Sequence, residues 1–148
     1  MASTNDSAKR QQVSTSRIVA APRQEIFDVL ADPSRHGDFD GSGTVGSARA
    51  AQRLSPGAKF GMNMKLGIPY VIGNTVVEFV EGERIGWQHL GKHTWRYELA
   101  DVEGGTEVTE TFDWSTARIP KAIELAGYPK KHLPNMEKTL ERLEQLVT

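Results

Sequence analysis

The sequence predicts an α+β fold, a curved antiparallel sheet of about six to seven strands with helices on one face. Three observations carry that expectation. An early segment has the apolar spacing of a short helix, residues 44–115 run with a period of two, and the last residues return to helical spacing. Turn residues separate each run from the next, so successive strands are joined as hairpins and not by crossovers.

The elements follow in order. Residues 1–12 are small, polar and aperiodic and read as a disordered tail before a single domain over 13–148. "VSTSRIVAA" is a first strand. "PRQEIFDVLADP" carries helix punctuation at both ends, with Pro22 suited to the first helical position, Glu25 in the first turn and Pro33 as the stop. Ile26, Phe27, Leu30 and Ala31 share one face and point inward. The strand candidates are then "TVGSARAAQRL", "KFGMNMKL", "YVIGNTVVEFV", "RIGWQHL", "TWRYELA" and "TEVTETFDWS", divided by "SPG", "GIP", "EGE", "GKH" and "VEGG". "PKAIELAG" is a short helix closed by Gly127. Beyond Pro134, "NMEKTLERLEQLV" places Met136, Leu140, Leu143 and Val147 on one stripe, which needs the sheet as its partner.

Composition excludes several classes of function. Eighteen basic and 19 acidic side chains give a formal charge of −1, without the basic excess or the aromatic-interleaved stripe of a nucleic-acid binder. The absence of cysteine removes disulfides, Cys-ligated zinc, iron–sulfur clusters and thiol nucleophiles. No His and carboxylate spacing matches a metal site, no serine sits in a nucleophile elbow, and neither metal nor cofactor is expected. "MASTNDSAKRQQ" lacks the apolar core of a signal peptide and no apolar run is of membrane-span length, so a cytoplasmic location is expected. "GSGTVG", Gly41 to Gly46, matches the glycine pattern of a dinucleotide loop. That motif requires a strand before it and a helix after it. Here the order is reversed, so it reads as a helix-to-strand connection.

Strand parity identifies an inner face. With "EGE" as a loop, Phe79 lies opposite Ile85, Val77 opposite Trp87 and Thr75 opposite His89. A three-residue "GKH" loop sets His89 against Trp95 and Trp87 against Tyr97. A turn pairing Leu99 with Thr106 sets Tyr97 against Val108 and Trp95 against Glu110. Val77, Phe79, Ile85, Trp87, Trp95, Tyr97, Leu99, Val108, Phe112 and Trp114 then line the inner face, joined by Met62 and Met64. Glu78, Arg84, Gln88, Arg96, Glu98, Glu107, Thr109 and Asp113 face out. Two ionisable groups, His89 and Glu110, land on the apolar face in one row with Trp95 and Thr75. A one-residue bulge would turn one of them outward. Burying either without a partner costs on the order of 1–3 kcal/mol or more, so protein, water or ligand must satisfy them. His36, His93 and His132 read as loop or helix-surface residues.

"VAAPRQEIFDVLADPSRH", the later "GTEVTETFDW" and the long amphipathic C-terminal segment together resemble the SRPBCC superfamily, over about Val13 to Val147. That group includes START-type lipid carriers, birch-pollen-allergen-like proteins and polyketide cyclase/dehydrase-like proteins common in actinobacteria. The chain lacks the tryptophan-rich helix–loop of relatives that activate the heat-shock ATPase, which points to the cyclase-like group. The resemblance implies a helix-grip: a curved sheet wrapped around the C-terminal helix, with a cavity between them. It implies binding of a small hydrophobic, lipid-like or polyketide-like molecule, held by Met62, Met64, Thr75, Val77, Trp87, His89, Trp95, Tyr97, Glu110, Phe112 and Trp114. An alternative is a cyclase/dehydrase or aromatase in which His89, Glu110 and Tyr97 handle protons. A second alternative is a protein-interaction module whose cavity is vestigial. The expected partner is a small hydrophobic molecule, with no nucleic acid and no membrane span, and the expected state is a monomer or weak dimer.

Overall fold

The computed structural model describes residues 11–49 and 52–148. The expected tail lies outside the described residues apart from Gln11 and Gln12, and Gln12 already pairs with Asp113 in the sheet. Ala50 and Ala51, read as part of a strand, also lie outside them. The chain forms β1 (Gln12–Val19), α1 (Arg23–Leu30), a 3₁₀ turn (Pro33–Arg35), α2 (His36–Phe39), β2 (Val45–Arg49), β3 (Lys59–Leu66), β4 (Ile68–Val80), β5 (Arg84–Gln88), β6 (Thr94–Val102), β7 (Gly105–Asp113), α3 (Pro120–Leu125) and α4 (Tyr128–Val147). Seven antiparallel strands run in the order β1-β7-β6-β5-β4-β3-β2. Strands β2 to β7 are thus one meander, and β1 closes its far side. The helix α4 lies against β1, β7 and α2, which is the helix-grip arrangement.

Helix α1 buries the four residues its spacing predicts: Ile26, Phe27, Leu30 and Ala31 are wholly inaccessible. Ile26, Phe27 and Leu30 each contribute roughly 1.5–3 kcal/mol when buried. Pro22 is the residue before the helix, with φ −61° and an extended ψ of 142°, and not its first position. Helix α4 starts at Tyr128, earlier than expected, and runs through Pro134. An internal proline removes one backbone donor and costs about 3 kcal/mol. The buried stripe of Met136, Thr139, Leu140 and Leu143 offsets that cost by packing, so proline is a poor boundary signal here.

The hairpin registers depart from expectation in an instructive way. Phe79 does face Ile85. A bulge between Val76 and Glu78 then turns Val77 out, where it is 46% exposed, and brings Val76 into the core opposite Trp87. Further along, Thr75 pairs with Gln88 and Asn74 takes the inner, buried side. Trp87 faces Trp95 rather than Tyr97, because the β5–β6 loop is two residues longer than expected. Tertiary contacts hold that loop open: Thr116 Oγ1 donates to Lys92 O, and Arg118 donates to Gly91 O and Leu90 O. At the next joint, Val102 pairs with Gly105 across a tight two-residue turn. Leu99 therefore faces Val108, Tyr97 faces Glu110 and Trp95 faces Phe112. Both slips are of two residues, so every side chain of β6 and β7 keeps its face.

Two apolar clusters fill the space over the sheet. The larger joins α1, α2 and β3 to β6 with Leu140 and Leu143 of α4. The smaller holds Phe112, Trp114, Ala117 and Met136. Trp95, half-buried, packs against both and forms the seam.

Candidate functional site

The inner face holds a buried phenol–carboxyl pair. Tyr97 and Glu110 are register partners, and the Tyr97 hydroxyl donates to Glu110 Oε2 at 2.8 Å. Tyr97 is 4% exposed and Glu110 3%. Burial pushes the Glu110 carboxyl up to about 8, with the nearby Asp40 carboxylate raising it further and the Tyr97 hydrogen bond opposing. Glu110 is therefore mostly protonated at neutral pH. Burial and the adjacent carboxyl push the Tyr97 phenol well above its usual range, so it stays a donor. Glu110 Oε1 is buried and has no protein hydrogen-bond partner.

Above this pair sits α2, whose His36, expected as a loop or helix-surface residue, is buried. His36 is 5% exposed, stacks on Trp87 with centroids 4.8 Å apart, and packs edge-on to Phe39 and Phe60. Its Nε2 lies 2.8 Å from Leu30 O, and burial depresses its pKa to about 4. The neutral ring therefore donates from Nε2 to that carbonyl. Rings of Phe39, Phe60, Trp87 and Tyr97 close the middle of the inner face around it.

Toward the start of α4 the inner face is ringed by histidines. His89 follows the last residue of β5 and meets His93 edge-on at 5.0 Å. His93 packs on Phe112, and His132 on Phe112 and Trp95. His93 and His132 are thus not surface residues but half-buried walls. Burial lowers the pKa of all three, to about 4 for His89 and His132, with His93 lowering both further. His89 Nδ1 and Asn74 Oδ1 are buried without a protein partner. Among the described residues no three His, Asp or Glu side chains are placed to hold a metal ion.

The structure brings together Trp87, Trp95, Tyr97, Glu110, Phe112 and Trp114 on the inner face, with Met62 buried and Met64 packed at its margin. It does not bring His89, Trp95 and Glu110 into one row, because Tyr97 and not Trp95 faces Glu110. Thr75 and Val77 are corrections: the β4 bulge puts Val77 outside and leaves Thr75 off the inner face. Sequence reading missed Asn74, His36, Asp40 and His132. Of these, only His132 carried a signal, lying four residues before the buried Met136 on the same helical stripe.

Two of the three glycines of "GSGTVG" serve packing, while Gly43, at φ 74° with open space around it, serves the turn. A Cβ on Gly41 would clash with Asn135 O, and Gly41 N donates to the buried Thr139 Oγ1 at 2.8 Å. Gly46 likewise lets β2 approach Asn63 O, and Gly37 lets α2 approach Gly46 O. Two hollows, of about 420 and 370 Å³, are lined respectively by residues such as Arg84, Glu98 and Thr109, and Thr75, Val77, His89 and Leu90. No residue of α4 lines either, so neither is the cavity expected between sheet and helix.

Comparison with known proteins agrees with this geometry. The chain is an α+β helix-grip domain, and it is similar to protein NE0264 from Nitrosomonas europaea at a TM-score of 0.74 and 18% identity, covering 93% of this chain and 94% of that one. An AHSA1-like protein from Aeromonas hydrophila superposes at a TM-score of 0.62 and 20% identity, covering 88% and 92%. These likenesses concern the fold alone. Residues 10–148 match the family described as "Polyketide cyclase / dehydrase and lipid transport", and the chain belongs to that family, within the SRPBCC superfamily. It is also 40% identical over 139 residues to the uncharacterized protein Rv0088 of Mycobacterium tuberculosis, covering 89% of this chain. The chain spans 62% of the length of that relative. Family and fold together fit the binding of a small molecule. Among the described residues no helix is long and apolar enough to cross a membrane.

Proposed function

We propose that the chain binds a small, mostly apolar molecule against the inner face of the sheet beside α4, with Glu110 as a polar contact and Asn74 and His89 as further polar groups toward β4. The carrying observation is that these three residues each bury a polar atom with no protein partner, among side chains that are otherwise mostly aliphatic and aromatic. Pockets that bind apolar molecules have this composition, apolar walls with a few polar anchors. Half-buried Trp95, between the two apolar clusters, is the side chain whose rotation would make room. Native mass spectrometry of the purified chain tests the reading, with a co-purifying hydrophobic molecule expected. Chemical-shift perturbation by that molecule is expected at Trp95, Glu110 and His132. Shifts confined to the outer face of the sheet would overturn it.

One observation favours a cyclase or dehydrase as a second reading. A carboxyl held protonated at neutral pH beside a phenol can give a proton to a substrate oxygen. Glu110→Gln keeps an acceptor for Tyr97 but has no acidic proton. Loss of turnover with binding retained supports the enzyme, whereas unchanged conversion of a bound polyketide-like substrate excludes Glu110 from the chemistry.

A further inference from the structure

The surface beside the histidine-walled end of the sheet combines large exposed apolar side chains with concentrated positive charge. Leu125 is 89% exposed, Leu90 80%, Ile119 66% and Tyr128 47%. These come from the β5–β6 loop, α3 and the start of α4, and they are tied together: Arg118 N and Nε donate to Gly91 O and Leu90 O at 2.9 Å. Helix α3 buries no residue fully. Between Trp114 and Met136 the chain carries Arg118, Lys121, Lys130 and Lys131 against one carboxylate, Glu124, while its overall formal charge is −1. Lys92 adds a fifth cation from the facing loop, and Glu124 is engaged by Trp114 Nε1 at 2.9 Å. Lys131 Nζ lies over the Tyr128 ring, so cation and apolar surface are presented side by side.

We infer that this surface docks the chain on an anionic lipid bilayer, with Leu90, Ile119, Leu125 and Tyr128 entering the interface and the cations contacting headgroups. Exposed apolar groups rimmed by Lys and Arg are what an interfacial site requires, and a protein partner would need complementary acidic walls that a bilayer supplies as a plane. A near-neutral chain with five of its 18 cations beside one apolar patch also orients itself as it approaches such a plane. The patch adjoins the Trp95–His132 end of the inner face, so docking there would bring that end to the lipid. The surface stands independently of any ligand on the inner face.

Co-sedimentation of the purified chain with vesicles of phosphatidylcholine alone and of phosphatidylcholine mixed with phosphatidylglycerol tests the inference. Binding is expected only with the anionic vesicles and is expected to fall steeply with salt. Each basic residue at such a surface is worth about fivefold in affinity, so Lys130→Glu with Lys131→Glu should weaken binding at least about twentyfold. Leu125→Asp should weaken it about tenfold by removing an inserted side chain. All three positions are exposed, so circular dichroism should be unchanged; Lys65→Glu, on the β3–β4 hairpin, should bind as the unmodified chain does. Equal binding to both vesicle types, insensitivity to salt, or the same loss with Lys65→Glu would overturn the inference. Self-association in the absence of vesicles that Leu125→Asp abolishes would overturn it too, assigning the patch to a second copy.

Discussion

Two faces of the same strands solve the problem of a buried carboxylate in opposite ways. On the outer face, Arg96 Nε donates to both oxygens of Glu78 at 2.8 and 3.0 Å, and its Nη2 meets Asp113 at 3.2 Å. On the inner face, the next residue of β6, Tyr97, donates to Glu110. The outer side chains retain 11–24% exposure, so a cation is the economical partner. Glu110 is sealed among aromatic rings and keeps its proton instead. Each carboxyl group thus takes the partner its solvent access favours, an arginine on the outer face and a phenol on the inner.

The largest test of the contrast is Arg96→Leu. Asp113 keeps its bonds from Ser115 and Glu78 keeps Arg84, so the expected loss is about 2–3 kcal/mol, below that for a fully sealed pair. Urea unfolding measures it, and a loss under half a kcal/mol would show the outer network to be solvated. Tyr97→Phe, of nearly the same shape, strips Glu110 of its hydroxyl donor and should cost about 1–2 kcal/mol by the same measurement.

Glu110→Gln sharpens the comparison through pH. The folded Glu110 pKa, about 8, lies above its ordinary value of 4.5, so the native state binds more protons than the unfolded state in that window. Its contribution is fully present below about 4.5 and is lost as pH rises to about 8. The melting temperature of Glu110→Gln relative to the unmodified chain should therefore climb from pH 5 to pH 8. The folded His36 pKa, about 4 against an ordinary 6.5, has the opposite sign: the native state binds fewer protons, and stability is lost as pH falls through that range. The smallest effect is expected at an exposed pair. Arg17→Ala, breaking the 2.9 Å bridge to Glu144, should cost about 0.5 kcal/mol and less in high salt.

Alternation of side chains was enough to assign β5, β6 and β7 to the right faces, and the apolar stripe placed α4 on the sheet. Trp87, Trp95, Tyr97, Glu110 and Phe112 were legible for this reason: a slip of two residues leaves parity intact. Val77 was misassigned because a bulge changes parity by one, and nothing in "TVVEF" distinguishes the valine that is extruded. His36 was missed because three residues of 3₁₀ turn and four of helix are too short for periodicity to show which side is covered.

What the sequence determined by itself is therefore which residues share a face, since that follows from local backbone geometry and from the contrast between apolar and charged side chains. Tertiary structure decided which residues meet across strands, where the Arg118 tether opens the β5–β6 loop, and how closely Gly41 approaches α4. It also decided that Glu110 holds a proton while Glu78, on the opposite face, takes an arginine. Proton and partner depend on the water excluded by distant segments, and that exclusion exists only once α2, α4 and the sheet have closed on one another.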